Sequence, residues 1–311
     1  MTLNVLFAAN EYRWQQYQDP LRDAFANAGL AVDLFTETDS PEIMDYIVFA
    51  PNGTVSDFSP FTRCKAVLNL WAGVEQVVGN QTLTQPLCRM VDAGLEEGMV
   101  EWVTGHVLRH HLGMDAQITQ QDSAWNPVVP PLARDRTVTI LGLGALGRAC
   151  GEALAALRFN VVGWSASQKD IPGLTCLSGD DGLAEALRQA EIVVLLLPLT
   201  DATANLLNAE RLALMPKGGV VINPGRGALI DDDALLAALN AGHIAHATLD
   251  VFRQEPLPGE HPFWAHPNVT VTPHIASETR PATASQVIAE NIRRGEAGEP
   301  FLFLVDRAKG Y

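Results

Sequence analysis

A strand, turn and helix in the middle of the chain limit the fold more than any other feature. The segment TVTIL at 137–141 is β-branched, and RACGEALAAL at 148–157 is a strong helix former. The turn between them carries glycine at 142, 144 and 147. The first glycine permits a tight turn, the second a close approach of backbone to a pyrophosphate, and the third close packing of helix on strand. The helix opening there offers free N–H groups and a positive dipole end to an anion. The spacing predicts a dinucleotide-binding βαβ unit with Gly142, Gly144, Ala145, Leu146 and Gly147 at the pyrophosphate.

An NAD site of this type wants a carboxylate about twenty residues further on, where it binds the ribose hydroxyls. Here the strand VVGW at 161–164 runs into Ser165-Ala166-Ser167-Gln168-Lys169, and no acid comes before Asp170. With that charge missing nothing repels a 2′-phosphate, and two hydroxyls and a lysine are present to bind one. NADP(H) is therefore expected ahead of NAD(H), with Trp164, Ser165, Ser167 and Lys169 at the adenosine end. The plain alternative is a solvated loop.

Around this unit, short apolar runs alternate with helical periods, the pattern of parallel sheets covered by helices. In the first hundred residues strands are expected at 4–9, 31–35, 46–50, 66–70 and 87–91, with a helix at 19–28. A long helix at 97–112 leads to a polar, proline-broken stretch at 117–136. The second series has strands at 138–141, 161–164, 192–197, 219–223, 246–250 and 269–272, and helices at 146–157, 182–189, 209–215 and 231–241. Six strands are the count of a dinucleotide fold. A last helix at 281–295 has no strand after it and is expected to pack back on the first domain. The fold class is therefore α/β, with two doubly wound parallel-sheet domains. A Rossmann NAD(P)-binding domain at 99–279 is inserted in a flavodoxin-like substrate domain at 1–98, to which the C-terminal helix segment 280–311 returns. A chain of 311 residues is long enough for two such cores.

Charge and cysteine content remove several function classes. The 36 acids against 21 bases give a net charge of −15, which repels nucleic acid phosphates and anionic lipid, so neither is an expected partner. The four cysteines form no CxxC pair, which argues against structural zinc, a dithiol centre and a disulfide framework; a reducing, cytoplasmic setting fits. The first ten residues read as a strand rather than a signal peptide. The apolar run at 192–199 is too short to span a bilayer.

Three further segments place polar groups just past strand ends, where ligands of doubly wound sheets bind. VVIN leads to Pro224-Gly225-Arg226-Gly227, LDVF to Arg253-Gln254-Glu255-Pro256, and VTVT to Pro273-His274-Ile275-Ala276. A bidentate cation, a carboxylate and an imidazole are what hydride reduction of a 2-keto acid needs. Arg226 polarises the substrate, His274 gives the proton, and Glu255 keeps the imidazole charged and oriented. Singly, each is as readily a surface arginine, a loop acid or a capping histidine. At equivalent ends of successive strands they form a set.

The motifs LGLGALG, INPGRG, LDVFRQEPLP and TPHIAS, in this order, resemble those of the D-isomer-specific 2-hydroxyacid dehydrogenase family. That resemblance covers nearly the whole chain. It implies catalytic roles for Arg226, Glu255 and His274. It also implies a nicotinamide lined by Leu197, Pro198, Leu199 and Asp250, with Asn223, Pro224, Gly225 and Ala276 also at the cofactor. The segment Asn69-Leu70-Trp71-Ala72-Gly73-Val74-Glu75 looks like the family's substrate loop, in which main-chain N–H groups at Trp71, Ala72, Gly73 and Val74 receive the carboxylate. The segment DAGLEEGM at 92–99, the strand end Trp164-Ser165 and the ending VDRAKGY look like the glyoxylate/hydroxypyruvate reductase A branch. That branch usually carries arginines after Trp164-Ser165, where this chain has Ala166 and Gln168, so its NADPH preference is expected to be weaker. The resemblance implies an NADPH-dependent reduction of glyoxylate and hydroxypyruvate to glycolate and D-glycerate. It also implies a homodimer in which Trp125 reaches toward the neighbouring subunit's active site; a plain surface aromatic is the alternative.

Other candidates carry less. His106 and His110 stand at i, i+4 but lack the glutamate of HExxH, so no metal is expected and their helix is assigned to a domain or subunit boundary. His261 and His266 read as loop packing, and Cys150 as a small buried apolar residue. Two alternatives remain: a dehydrogenase of a larger 2-keto acid such as phenylpyruvate, and a cofactor-sensing corepressor-like binding protein. The latter expects long disordered docking tails, and this chain ends at Tyr311 with no such tail.

Overall fold

A parallel strand buried on both faces must send alternate side chains into two helical layers, and the strands of this chain do so in two separate sheets. The computed structural model describes residues 2–119, 125 and 127–310. It divides into two units, Met1–Leu95 with Glu278–Tyr311, and Glu96–Ser277.

The first unit opens with β1 (Leu3–Ala8), α1 (Glu11–Asn27), β2 (Val32–Phe35), β3 (Tyr46–Phe49), β4 (Ala66–Asn69) and β5 (Leu87–Cys88). All pairings are parallel and the order is β2-β1-β3-β4-β5, the flavodoxin-like arrangement. Val5, Phe7, Val48 and Leu68 point into one core with Tyr17 and Leu21 of α1. Leu6, Ile47, Phe49 and Val67 point into the other with Phe58, Val77 and Leu83. The helix starts eight residues before its expected beginning. Asn10 caps it by accepting from the Arg13 N–H at 3.0 Å, and Pro20 is accommodated inside. Its first turns are largely polar, which hides them from a search for apolar period.

The second unit holds α2 (Ala93–Leu112) from Glu96 onward, then α3 (Met114–Thr119), β6 (Thr137–Leu141), α4 (Ala145–Ala156), β7 (Asn160–Ser165) and β8 (Thr175–Ser178). It continues with α5 (Gly179–Gln189), β9 (Ile192–Leu195), α6 (Ala209–Leu214), β10 (Gly219–Asn223), α7 (Asp232–Asn240), β11 (Ile244–Leu249), α8 (Pro262–Ala265) and β12 (Val269–Val271). The order β12-β11-β10-β9-β6-β7-β8 is a Rossmann sheet with one strand added. Seven strands stand where six are expected. The missed strand, β8, is a short edge whose residues are exposed or half-buried, so it lacks the apolar run that marks the others. Val138, Ile140 and Val194 meet Val103 and Val107 of α2 and Leu154 of α4 on one face. Leu141, Val193, Leu195 and Leu249 meet Leu187 of α5 and Leu235 of α7 on the other. The chain then returns to the first unit as α9 (Pro281–Ala297), whose Ala284, Ile288 and Ile292 join the core of Val5 and Leu21. Beyond it, Val305 N–H donates to the Leu87 carbonyl at 2.8 Å and covers the β5 edge.

The second half of α2 is unusual in burying imidazoles. His110 Nε2 and Thr248 Oγ1 share a hydrogen bond at 2.8 Å, and the His110 and His246 rings lie 4.8 Å apart. Burial pushes His110 down to about 3 and holds His106 and His246 below their ordinary value. In the unfolded chain these groups take up protons near pH 6.5. Below that pH the unfolded state binds more protons than the folded one. Stability is therefore complete above 6.5 and is lost as pH falls toward 3, by up to about 1.4 kcal/mol per pH unit for His110 alone. The thermal midpoint is expected to drop between pH 7 and pH 5, and less so in His110→Gln. A midpoint that stays flat over this interval excludes the linkage.

Candidate active site

β10, β11 and β12 are adjacent in the sheet, and their C-terminal loops carry Arg226, Glu255 and His274. Buried side chains at strand ends anchor the Arg226 and His274 loops. Asn223 is fully buried; its Oδ1 accepts from Gly225 N–H at 3.1 Å and its Nδ2 donates to the Arg226 carbonyl at 2.9 Å. Gly225 lies so close to the Leu195 carbonyl that a Cβ would stand 2.8 Å from it. Arg226, half-buried, donates from Nη1 to the Gly225 carbonyl at 2.7 Å.

Asp250, expected at the nicotinamide, is fully buried just beyond β11, and both carboxylate oxygens are taken by the next loop. Its Oδ1 accepts from Thr272 Oγ1 at 2.6 Å and Ile275 N–H at 2.9 Å, and its Oδ2 from Ala276 N–H at 2.9 Å. This grip brackets His274, whose N–H donates to the Asp250 carbonyl at 2.8 Å and whose φ of 55° is left-handed. A histidine in that region costs on the order of 1 kcal/mol, which the bonds around it offset. Sequence reasoning missed this anchoring role, because Asp250 holds a loop more than twenty residues further along the chain and carries no local signal for it.

The outcome of these anchors is an acid–base pair. His274 Nδ1 lies 2.7 Å from Glu255 Oε2, and Glu255 Oε1 accepts from Phe252 N–H at 2.9 Å. With Nδ1 occupied, Nε2 is the ring atom left to face a substrate. The pair is partly open to solvent, His274 at 53% and Glu255 at 36%.

The cofactor end lies at the centre of the same sheet, where β6 and β9 run side by side and the strand order reverses. Gly142, with φ of 107°, passes against the Leu196 carbonyl, and a Cβ on Gly147 would overlap the Gly142 carbonyl oxygen. Around Gly144, by contrast, the space is open, and as the N-cap of α4 it offers no side chain to the helix. The orphan N–H groups of Ala145, Leu146 and Gly147 fit a pyrophosphate. Leu197 and Leu199 pack on the core, and Thr203 Oγ1 holds the Pro198 carbonyl at 2.7 Å. At the end of β7, the Trp164 ring is in the core with Nε1 donating to the Gly179 carbonyl at 2.9 Å, so it has only main chain to offer a ribose. Ser165 Oγ donates to the Ser167 carbonyl at 2.8 Å, while Ser167 and Lys169 are exposed. Gln168 is tied to β8, its Nε2 on the Cys176 carbonyl at 3.0 Å and its Oε1 accepting from Ser178 Oγ at 2.8 Å.

In the other unit, the loop after β4 is shaped by Asn69, which is fully buried. Its Nδ2 donates to the Trp71 carbonyl at 2.8 Å and the Gly73 carbonyl at 2.9 Å. These bonds fix the loop of Trp71, Ala72 and Gly73, which is half-exposed, while Val74 is buried.

The remaining candidates fall outside these loops. Trp125 is 96% exposed, and residues 120–124 and 126 beside it lie outside the described residues. Cys150 is buried in α4, its thiol pushed up to about 12 by burial. His261 caps α8 by accepting from Phe263 N–H at 3.3 Å, and His266 accepts from Asn268 N–H at 3.1 Å. Among the described residues no cluster of His, Cys, Asp and Glu is arranged to hold a metal, and no helix is long and apolar enough to cross a membrane.

Comparison with known proteins adds to this geometry. The family model for the D-isomer specific 2-hydroxyacid dehydrogenase, NAD binding domain, matches residues 104–276, more than half of the chain. Glyoxylate/hydroxypyruvate reductase A of Yersinia enterocolitica is 40% identical over 255 residues, covering 79% of this chain and 82% of the relative. A D-isomer specific 2-hydroxyacid dehydrogenase from Xanthobacter autotrophicus, solved in complex with NADPH and MES, has a TM-score of 0.92 at 40% identity, covering 100% of both chains. An NADPH-dependent glyoxylate/hydroxypyruvate reductase from Sinorhizobium meliloti, solved with NADP and sulfate, has a TM-score of 0.85 at 33% identity, covering 99% of this chain and 100% of that one. The loops that carry Arg226, Glu255 and His274 thus sit in a chain that belongs to the D-isomer-specific 2-hydroxyacid dehydrogenase family of oxidoreductases.

Proposed function

We propose that this oxidoreductase reduces small 2-keto acids with NADPH, glyoxylate and hydroxypyruvate first, giving glycolate and D-glycerate. The observation that carries the reading is the 2.7 Å pair of His274 and Glu255 in loops next to the one bearing Arg226. When bound, the reduced nicotinamide supplies the hydride. Arg226 draws electron density toward the carbonyl oxygen through its fixed positive charge. His274 delivers a proton from Nε2 to that oxygen, and Glu255 stabilises the imidazolium before it does so. The loop of Trp71, Ala72, Gly73 and Val74 is assigned a carboxylate. The relatives with NADPH or with glyoxylate and hydroxypyruvate in their names support this choice. A panel of glyoxylate, hydroxypyruvate, pyruvate and phenylpyruvate with both cofactors tests it. Preference for phenylpyruvate, or no turnover at all, rejects it.

For the cofactor, Ser167 and Lys169 are the exposed groups available to a 2′-phosphate, with Ser165 at the strand end. NADPH is expected to show a lower KM than NADH. Ser165→Asp places a carboxylate where it repels the 2′-phosphate and is expected to reverse that order. Equal or better use of NADH by the parent enzyme rules out the preference.

The assembly we propose is a homodimer in a cytoplasmic setting. Ile118, Trp125, Val128, Val129 and Leu132 are large apolar side chains that a monomer leaves exposed to water. A second copy, related by a two-fold axis, covers them. Sedimentation as a monomer at micromolar concentration excludes this.

A further inference from the structure

The loop that carries Glu255 and the turn that carries Arg226 are fastened to one another by a residue outside the proposed catalytic set. Arg253, two positions before Glu255, reaches across with its guanidinium. Its Nη2 donates to the Ile230 carbonyl and to Asn205 Oδ1, and its Nε lies 3.5 Å from Asp232 Oδ2. Ile230 closes the 3-10 turn Gly227–Leu229, which begins directly after Arg226. Asn205 is tied to the same turn, since its N–H donates to the Ala228 carbonyl at 2.8 Å. The backbones also touch: a Cβ on Gly227 would overlap Phe252 and the Arg253 nitrogen. Phe252 is in turn the residue whose N–H holds Glu255 Oε1.

We propose that Arg253 is a positioning residue, clamping the loop after β11 onto the Arg226 turn and so fixing Glu255 where it can pair with His274. The inference rests on the roles proposed above for Glu255 and His274. A guanidinium suits the task because its planar group sends donors from Nη2 and Nε in fixed directions toward two oxygen acceptors and a carboxylate, whereas an ammonium offers its three donors from one point on a flexible stem. The titratable groups facing it come from the starts of α7 and α8. They are Asp232, with Asp231 beside it, and His261, 3.9 Å from Asp232 at the start of α8. Arg253 itself is 39% exposed, so the clamp is reachable from solvent and its removal opens no core cavity.

The test compares Arg253→Gln, Arg253→Lys and Glu255→Gln in the full-length enzyme. Arg253→Gln is expected to lower kcat/KM for glyoxylate about tenfold at pH 7, as small misplacements of catalytic groups do. The loss should fall on kcat rather than on the KM for glyoxylate, and the dissociation constant for NADPH should stay within about twofold. Arg253→Lys recovers part of the loss. The double variant Arg253→Gln/Glu255→Gln should be little worse than Glu255→Gln alone, because two residues acting through one group are not additive. Parental kcat in Arg253→Gln, or losses that add in the double variant, overturns the proposal. A lowered thermal midpoint with parental kinetics overturns it too. If Arg253→Gln does not fold, Asp232→Asn removes only the charge partner and must show a smaller loss of kcat; parental kcat there also counts against the clamp. Parental activity in both Glu255→Gln and His274→Ala would instead remove the catalytic assignment itself.

Discussion

His274→Ala is expected to lose a hundredfold or more in kcat/KM for glyoxylate at every pH, as the loss of a general acid does. NADPH binding should survive, because the glycine turn lies at the end of β6 and the histidine loop at the end of β12, on the far side of three intervening strands. Glu255→Gln gives a different signature. The amide keeps the size of the side chain and one acceptor oxygen but removes the negative charge 2.7 Å from the ring. The carboxylate orients the ring and its charge supports the proton donor; the amide keeps the first of these and loses the second. kcat/KM for glyoxylate at pH 7 is therefore expected to fall about tenfold, less than in His274→Ala. Parental kcat/KM in Glu255→Gln would show that the carboxylate does not act on this histidine.

The parts of the site that stood out in the sequence are those whose chemistry and placement are both local. A glycine turn needs only its flanking strand and helix to be recognised, and Arg226, Glu255 and His274 each follow an apolar strand directly. What stayed hidden depends on partners far along the chain. Asn69 and Asn223 read as polar residues at strand ends, and only the folded backbone shows each amide gathering the carbonyls or N–H groups of its loop. Gln168 stands where an arginine was expected by resemblance, and its bonds to Cys176 and Ser178 require β8, the strand the hydrophobic pattern did not reveal. Apolar period finds strands by their buried runs. It is blind to a half-exposed edge and to the polar opening turns of α1, so those boundaries had to come from hydrogen bonding.

Asp250→Asn is expected to cost both stability and rate, and the reason is the number of donors aimed at one carboxylate. Two oxygens accept three bonds, from Thr272 Oγ1, Ile275 N–H and Ala276 N–H, all within a fully buried site. An asparagine has one oxygen and one NH2 group. In one orientation its NH2 opposes Ala276 N–H; in the other it opposes Ile275 N–H, since only the Thr272 hydroxyl can turn to accept. Either way a buried main-chain donor loses its acceptor, at a cost of about 1–3 kcal/mol, and two donors are pushed together. For a unit of this size each kcal/mol lowers the thermal midpoint by roughly 2–4 °C. The residues that move are those flanking His274, so the ring should drift from Glu255. A displacement of about 1 Å is enough to lower the rate by on the order of a hundredfold. The effect should appear in kcat rather than in the KM for NADPH, and Asp250→Glu should not rescue it, because the longer chain cannot fit beneath the same loop. Parental kcat in a folded Asp250→Asn enzyme would show that the histidine loop keeps its shape without this carboxylate. The rigidity of the acid–base pair would then have to come from the main-chain bonds of His274 alone.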